Sequence, residues 1–283
     1  MKTKKVIGIF LFMISVSFLN AQNINWISSI EWGKKLAQTG DKLILVDFWA
    51  YWCGPCIRMD REVWSNDSIQ ALWGKFVYIK LDVSSGPGAA SPYNIDAIPT
   101  TMILDGWGTV LYQSTGFKYK TEIKTLLNSF PENVSSLNES LYYYYIDKKD
   151  KNNIMNVATT FQDYATILDN PARDIFLNMS DVYFTKVKKQ CKKNTDDSLR
   201  EKTEILESLN MVYRGKENNA IKNITEKIGL DKIHESNQAL ANYVLIKVYL
   251  QLDNKDEASK YYRRLLDSDD YKTYVGLVQH IFE

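Results

Sequence analysis

The stretch Leu43-Ile44-Leu45-Val46-Asp47-Phe48-Trp49-Ala50-Tyr51-Trp52-Cys53-Gly54-Pro55-Cys56 decides how this chain is read. Leu43 to Trp49 is short, continuously apolar and interrupted by a single acid, the pattern of a central strand buried on both faces. Gly54-Pro55 breaks that pattern, and Cys56-Ile57-Arg58-Met59-Asp60-Arg61-Glu62-Val63-Trp64 then carries apolar residues at helical spacing. Cys53 therefore falls at or just before a helix N-terminus. There, unpaired backbone N–H groups and the positive end of the helix dipole favour a thiolate over a thiol. Two intervening residues bring the sulfurs within bonding reach. This makes Cys53 the exposed attacking sulfur and Cys56, one turn inside the helix, the buried resolving one. The chemistry that follows is reversible dithiol–disulfide exchange, with the Cys53–Cys56 pair itself as the redox group and no separate cofactor.

A C-x-x-C pair is also half of a zinc site, which takes two more Cys or His ligands. The remaining candidates, Cys191, His234 and His280, lie far along the chain and out of ligand-like spacing, so no metal is expected.

Val46 to Cys56 resembles the thioredoxin active-site strand and turn almost residue for residue. Further matches come in that family's order. Phe76 to Leu81 reads as a second apolar strand, closing with Lys80-Leu81-Asp82, and Ile98-Pro99-Thr100 resembles the cis-proline loop that faces the disulfide. Thr101 to Leu104 and Thr109 to Tyr112 read as a hairpin around Asp105-Gly106-Trp107-Gly108. Gly116 followed by Thr121 to Phe130 is similar to the family's closing glycine and last helix. The likeness covers about residues 24 to 130, under half of the chain. It implies an α/β thioredoxin fold, a central mixed sheet flanked by helices.

The same resemblance assigns roles. Cys53 would form the mixed disulfide and Cys56 would resolve it. Asp47 would lie buried behind Cys56 with a raised pKa, taking and returning the proton as Cys56 attacks. Lys80 would modulate Asp47. Pro99 would remove a backbone donor and leave the Ile98 carbonyl side open to an extended substrate chain. Trp52 would flank the disulfide as an apolar contact, with Gly54 and Pro55 shaping the turn between the sulfurs. Read without the family, Asp47 is a local cap or ion pair and Lys80 a solvated strand-end charge, although an acid inside an apolar run is costly without a partner or a task.

Two positions depart from ordinary thioredoxin. The family commonly has Lys after the second cysteine and a proline kinking the helix; here stand Ile57 and an uninterrupted Met59 to Trp64. Asp60 to Leu72, with Phe76 to Val83, is similar instead to periplasmic thioredoxin-like domains that relay electrons from membrane reductants. Ser84 to Pro92 is rich in turn formers and reads as a loop.

The first residues point to export. Met1 to Lys5 is a basic n-region, Val6 to Leu19 an apolar h-region, and Asn20-Ala21-Gln22 offers cleavage after Ala21. The apolar stretch falls short of the about 20 residues of a membrane span. Residues 1–21 are thus expected to be a signal peptide and the protein to reach a bacterial periplasm. Gly-Pro between the cysteines and Ile98 before Pro99 resemble the reducing members of the family. The expected partners are a substrate protein bearing a disulfide or thiols and a membrane or periplasmic thiol electron donor. Disulfide oxidation or isomerisation, or a client-binding role, are the alternatives. The 35 basic and 34 acidic residues nearly cancel, so nothing suggests nucleic acid.

Beyond Phe130-Pro131-Glu132-Asn133 strand signals vanish and helical periodicity takes over. The expected division is 22–130 for the thioredoxin-like unit and 131–283 for an all-α helical array. Helices are expected at 136–146, 153–168, 172–191, 197–213, 218–228, 236–252, 255–266 and 271–281. Leu245, Tyr249, Ala258 and Tyr262 fall at tetratricopeptide spacing, with no second copy. Tyr142 to Tyr145 set aromatics all around one helix, suggesting burial between the two units or an adhesive face. Cys191 is odd in number and is expected to be a bystander on a helix.

Overall fold

The computed structural model describes residues 25–85, 91–192 and 195–282. The leader expectation, at residues 1–21, lies outside them, as does the middle of the Ser84 to Pro92 loop. Among the described residues no helix is long and apolar enough to cross a membrane.

Helix α1 (Ile30–Thr39) leads into β1 (Leu43–Trp49), followed by α2 (Gly54–Met59), α3 (Asp67–Gln70), β2 (Phe76–Asp82), β3 (Thr100–Leu104), β4 (Val110–Thr115) and α4 (Lys120–Ser129). The strands form one mixed sheet in the order β2-β1-β3-β4, with β1 parallel to β2 and antiparallel to β3. β1 is central, as its unbroken apolar run requires, and six of its seven residues are buried. Strand alternation sends Ile44, Val46 and Phe48 into a cluster with Ile30, Ala37 and Ile79, beneath α1. Leu43 and Leu45 face the opposite way, toward Met59, Val63, Trp64 and Leu127. By the same alternation Asp47 belongs to that second face. Gly33 lets α1 sit close on the sheet, for a Cβ there would lie 2.3 Å from Ile79 Cδ1.

The β3–β4 hairpin turns where expected. Asp105 accepts from the Trp107 and Thr109 amides at 2.8 and 2.9 Å, and Gly108 takes φ +91°, a conformation that favours glycine.

The remainder is helical: α5 (Ser135–Ile146), α6 (Lys151–Ala165), α7 (Ala172–Gln190), α8 (Asp197–Tyr213), α9 (Glu217–Lys222), α10 (Glu235–Gln251), α11 (Lys255–Leu266) and α12 (Lys272–Val275). Two expected helices are not α-helical along their whole length. The one at 218–228 widens into a π-helical turn over Asn223–Gly229, where Asn223 Nδ2 donates to Ser208 Oγ at 2.8 Å. The one at 271–281 breaks after α12, at Gly276, and resumes only as a 3₁₀ turn at Gln279–Ile281.

One buried apolar cluster runs without a gap from the sheet into these helices. Phe130 is its hinge, 6.1 Å from both Phe76 on β2 and Phe176 on α7. Trp107 of the hairpin stacks on Tyr145 at 4.6 Å, and Tyr144 packs edge-on against Tyr183. The tyrosine run therefore divides: Tyr144 is buried and Tyr145 stacks, while Tyr142 and Tyr143 are about half exposed. Between helices the array is joined by buried amides, Gln162 to Asn210 at 2.7 Å and Asn210 onward to Asp181 at 2.7 Å. Of the residues at tetratricopeptide-like spacing, Leu245 and Ala258 are fully buried; Tyr249 stacks on Tyr261 and not on Tyr262, whose ring stacks instead on Phe282. Cys191 is a buried free thiol capping the C-terminus of α7.

Candidate active site

β1 ends at Trp49 and delivers Cys53 to the N-cap of α2, with Pro55 inside the first turn. Cys53 and Cys56 are joined in a disulfide, S–S 2.04 Å and Cα–Cα 5.2 Å. Cys53 Sγ accepts a hydrogen bond from the Cys56 amide at 3.2 Å. That donor, at the positive end of a helix, is the one a Cys53 thiolate would use on reduction.

The expected contrast in exposure is not what the fold produces. Cys53 is 5 % exposed and Cys56 2 %. Both are buried because Trp49, Val83 and Ile98 pack over the bonded pair. What projects into solvent is the surround: Tyr51, Trp52 and Ile57 are all about half exposed or more. Trp52 thus has the exposure of a contact surface, and Ile57 extends it where ordinary thioredoxin carries a charge. Arg58 lies over the Phe117 ring at 4.3 Å, tying α2 to the segment after Gly116. The Ile98–Pro99 peptide is cis, and the Pro99 carbonyl accepts from the Gly116 amide at 2.8 Å.

Behind the sulfurs the helix is not uninterrupted. It opens into a π-helical turn over Asp60–Trp64 in which Val63 and Trp64 are buried, and Asp60, still hydrogen-bonded through its amide to the Cys56 carbonyl, pairs its carboxylate with Lys80. Such turns insert one residue into the helical phase, which the apolar spacing alone did not reveal. Asp47 pairs in register with Lys80, whose Nζ lies 3.7 Å from Asp47 Oδ2. Lys80 is no solvated charge: its side chain is 14 % exposed, and its ammonium lies over the rings of Trp49 at 4.6 Å and Trp26 at 5.5 Å. Burial pushes the Asp47 pKa up to about 7 against the pull of Lys80, and the Asp60 carboxylate adds to the rise. The Trp64 indole favours the charged form, yet its Nε1 and Asp47 Oδ1 each lack a hydrogen-bond partner among the described residues.

That carboxyl has a thermodynamic signature. Unfolded, it ionises near its ordinary 3.8; folded, it keeps its proton to about 7. Between those values the native state binds more protons, so stability falls as pH rises through the window. Asp47→Asn removes this dependence and is expected to be more stable than the parent by about 4 kcal/mol at pH 8, with little gain at pH 4. Urea unfolding at both pH values measures it; a difference that does not change with pH would mean Asp47 is not the buried acid described.

Sequence reasoning brought Cys53, Cys56, Asp47, Lys80, Ile98 and Pro99 to one place, and the fold assembles them there. It missed Asp60, Trp64 and Trp26. Asp60 gave one faint signal, an acid four residues past Cys56; Trp26 gave none, because it arrives by a single bridge of Ile27 to Ile79.

Comparison with known proteins agrees with this geometry. The thioredoxin family model matches residues 24–129. The chain is 36 % identical over 92 residues to a thioredoxin of Bacillus subtilis, covering 32 % of this chain and 86 % of that protein. It is 41 % identical over 87 residues to a Synechocystis thioredoxin, 31 % of this chain and 78 % of the relative. A Chlorobaculum thiosulfatiphilum thioredoxin is 41 % identical over 76 residues, 27 % and 68 % of the two chains.

Proposed function

This chain belongs to the thioredoxin family and is a thiol-disulfide oxidoreductase, and from that premise we propose that it reduces disulfides in exported proteins. The observation that carries the reading is the Cys53–Cys56 disulfide at a helix N-cap, spaced by Gly54-Pro55 and packed against Ile98 before a cis proline.

In the reduced protein the Cys53 thiolate attacks one sulfur of a substrate disulfide, forming a mixed disulfide and releasing the other sulfur as a thiolate. The Cys56 thiol gives its proton to Asp47 and attacks Cys53 Sγ, which expels the second substrate thiolate and closes the Cys53–Cys56 bond. The two electrons lost here are restored by a dithiol donor outside the chain. Asp47, with its pKa near neutrality, suits both directions of that proton transfer. Lys80 tunes it, and Trp52, Ile98 and Pro99 form the substrate's contact surface. The leader read at residues 1–21 supports export, and mass analysis of the mature protein checks cleavage after Ala21.

The helical residues 131–283 are proposed to select the client. An open groove of about 440 Å³, lined in part by Arg173, Tyr213, Lys247 and Leu250, supports that role.

Direction of electron flow is tested by the equilibrium potential of the Cys53–Cys56 pair, poised with dithiothreitol or glutathione and read by tryptophan fluorescence. A value near about −270 mV is expected, and one near about −120 mV would make the protein a disulfide donor instead.

A further inference from the structure

Lys80 is shared between two acids, and the sharing is unequal. Its ammonium closes on Asp60 in a direct ion pair and stands off Asp47 at 3.7 Å. Three elements meet at this point: β1 supplies Asp47, β2 supplies Lys80, and the π-helical turn supplies Asp60 and Trp64. The rings of Trp26 and Trp49 close over the ammonium and limit where it can move. Among the described residues the charged groups acting on Asp47 are Lys80 and Asp60, with the Trp64 indole as the polar neighbour.

We propose that Asp60 is a positioning residue for disulfide exchange: by holding the Lys80 ammonium it denies Asp47 a close counter-ion, so the buried acid remains able to carry the Cys56 proton. Asp60 keeps the phase of α2, its amide donating to the Cys56 carbonyl one turn back, so it lies on the same helix face as the resolving sulfur, and the π-helical turn that follows re-phases Val63 and Trp64. The elevated proton affinity of Asp47 fits this arrangement, because a buried carboxyl with a lysine free to close on it is drawn toward its charged form. The catalytic consequence rests on the reductase reading above, but the electrostatic claim does not.

The test is the Asp47 side-chain carboxyl titration, followed by its ¹³C shift in the full-length oxidised protein labelled at aspartate. Asp60→Asn frees Lys80 and removes a negative neighbour; both effects favour ionised Asp47, so the midpoint is expected to fall by about one pH unit. Asp60→Glu is expected to restore most of it. In a Lys80→Met background the Asp60→Asn shift is expected to shrink to a small residue. A midpoint that stays or rises in Asp60→Asn would overturn the proposal, as would an undiminished fall in the Lys80→Met background, which would leave only direct repulsion between the acids. Asp60→Ser serves if the asparagine variant does not fold, with a thermal melt as the check. Reduction of a protein disulfide by the wild type is scored separately, so an inactive protein whose Asp47 responds as stated would sink the reductase reading alone.

Discussion

Cys53→Ser lowers the rate of disulfide reduction by about a thousandfold or more, because the step that is lost is the covalent one and no other group in the site replaces it. Serine keeps the N-cap acceptor that the Cys56 amide uses, so the helix start survives and the loss is chemical. Cys56→Ser behaves differently. It retains the attacking sulfur at the helix N-terminus and stalls after the first exchange, so a covalent adduct with substrate accumulates and is seen by mass spectrometry. The two variants together assign the roles. If Cys53→Ser formed the stable adduct and Cys56→Ser did not, the order of attack would be the reverse of the one proposed. The burial of both sulfurs in the disulfide form makes this more than a formality, since exposure alone does not single out the attacking one.

Phe130→Ala is expected to destabilise the protein by about 3–5 kcal/mol, a large share of the total for most folded domains. Phe130 is 2 % exposed, and its ring sits between Phe76 of the sheet and Phe176 of the helical array. Removing it opens a cavity that belongs to both. Because one apolar cluster spans the junction, the loss is expected in a single transition: far-ultraviolet ellipticity, dominated by the helices, and fluorescence of the tryptophans around the sheet shift together in urea. Two separate transitions, with only one of them moved, would show that the two parts unfold independently despite the shared core.

Much of this was legible in the chain itself, for identifiable reasons. The central strand could be read because an apolar run with both faces buried needs no knowledge of its neighbours. The hairpin could be read because Asp105 and Gly108 do their work within the turn they occupy. Cys53 and Cys56 are three residues apart, so their chemistry is local as well. The helices after Phe130 showed their period, but their ends were less reliable. Gly276 and the π-helical turn at Asn223–Gly229 act through backbone geometry and side-chain bonds to other helices, which periodicity does not record.

Contacts of short range suffice to specify the strand, the dithiol turn and the helical character of the second half. Long-range packing is what covers Cys53, gives Lys80 to Asp60 more than to Asp47, and sets Trp26 over the pair. Those outcomes depend on which residues from distant parts of the chain exclude water from the same few ångströms. A carboxylate's proton affinity follows that local exclusion and its charged neighbours rather than its place in the chain.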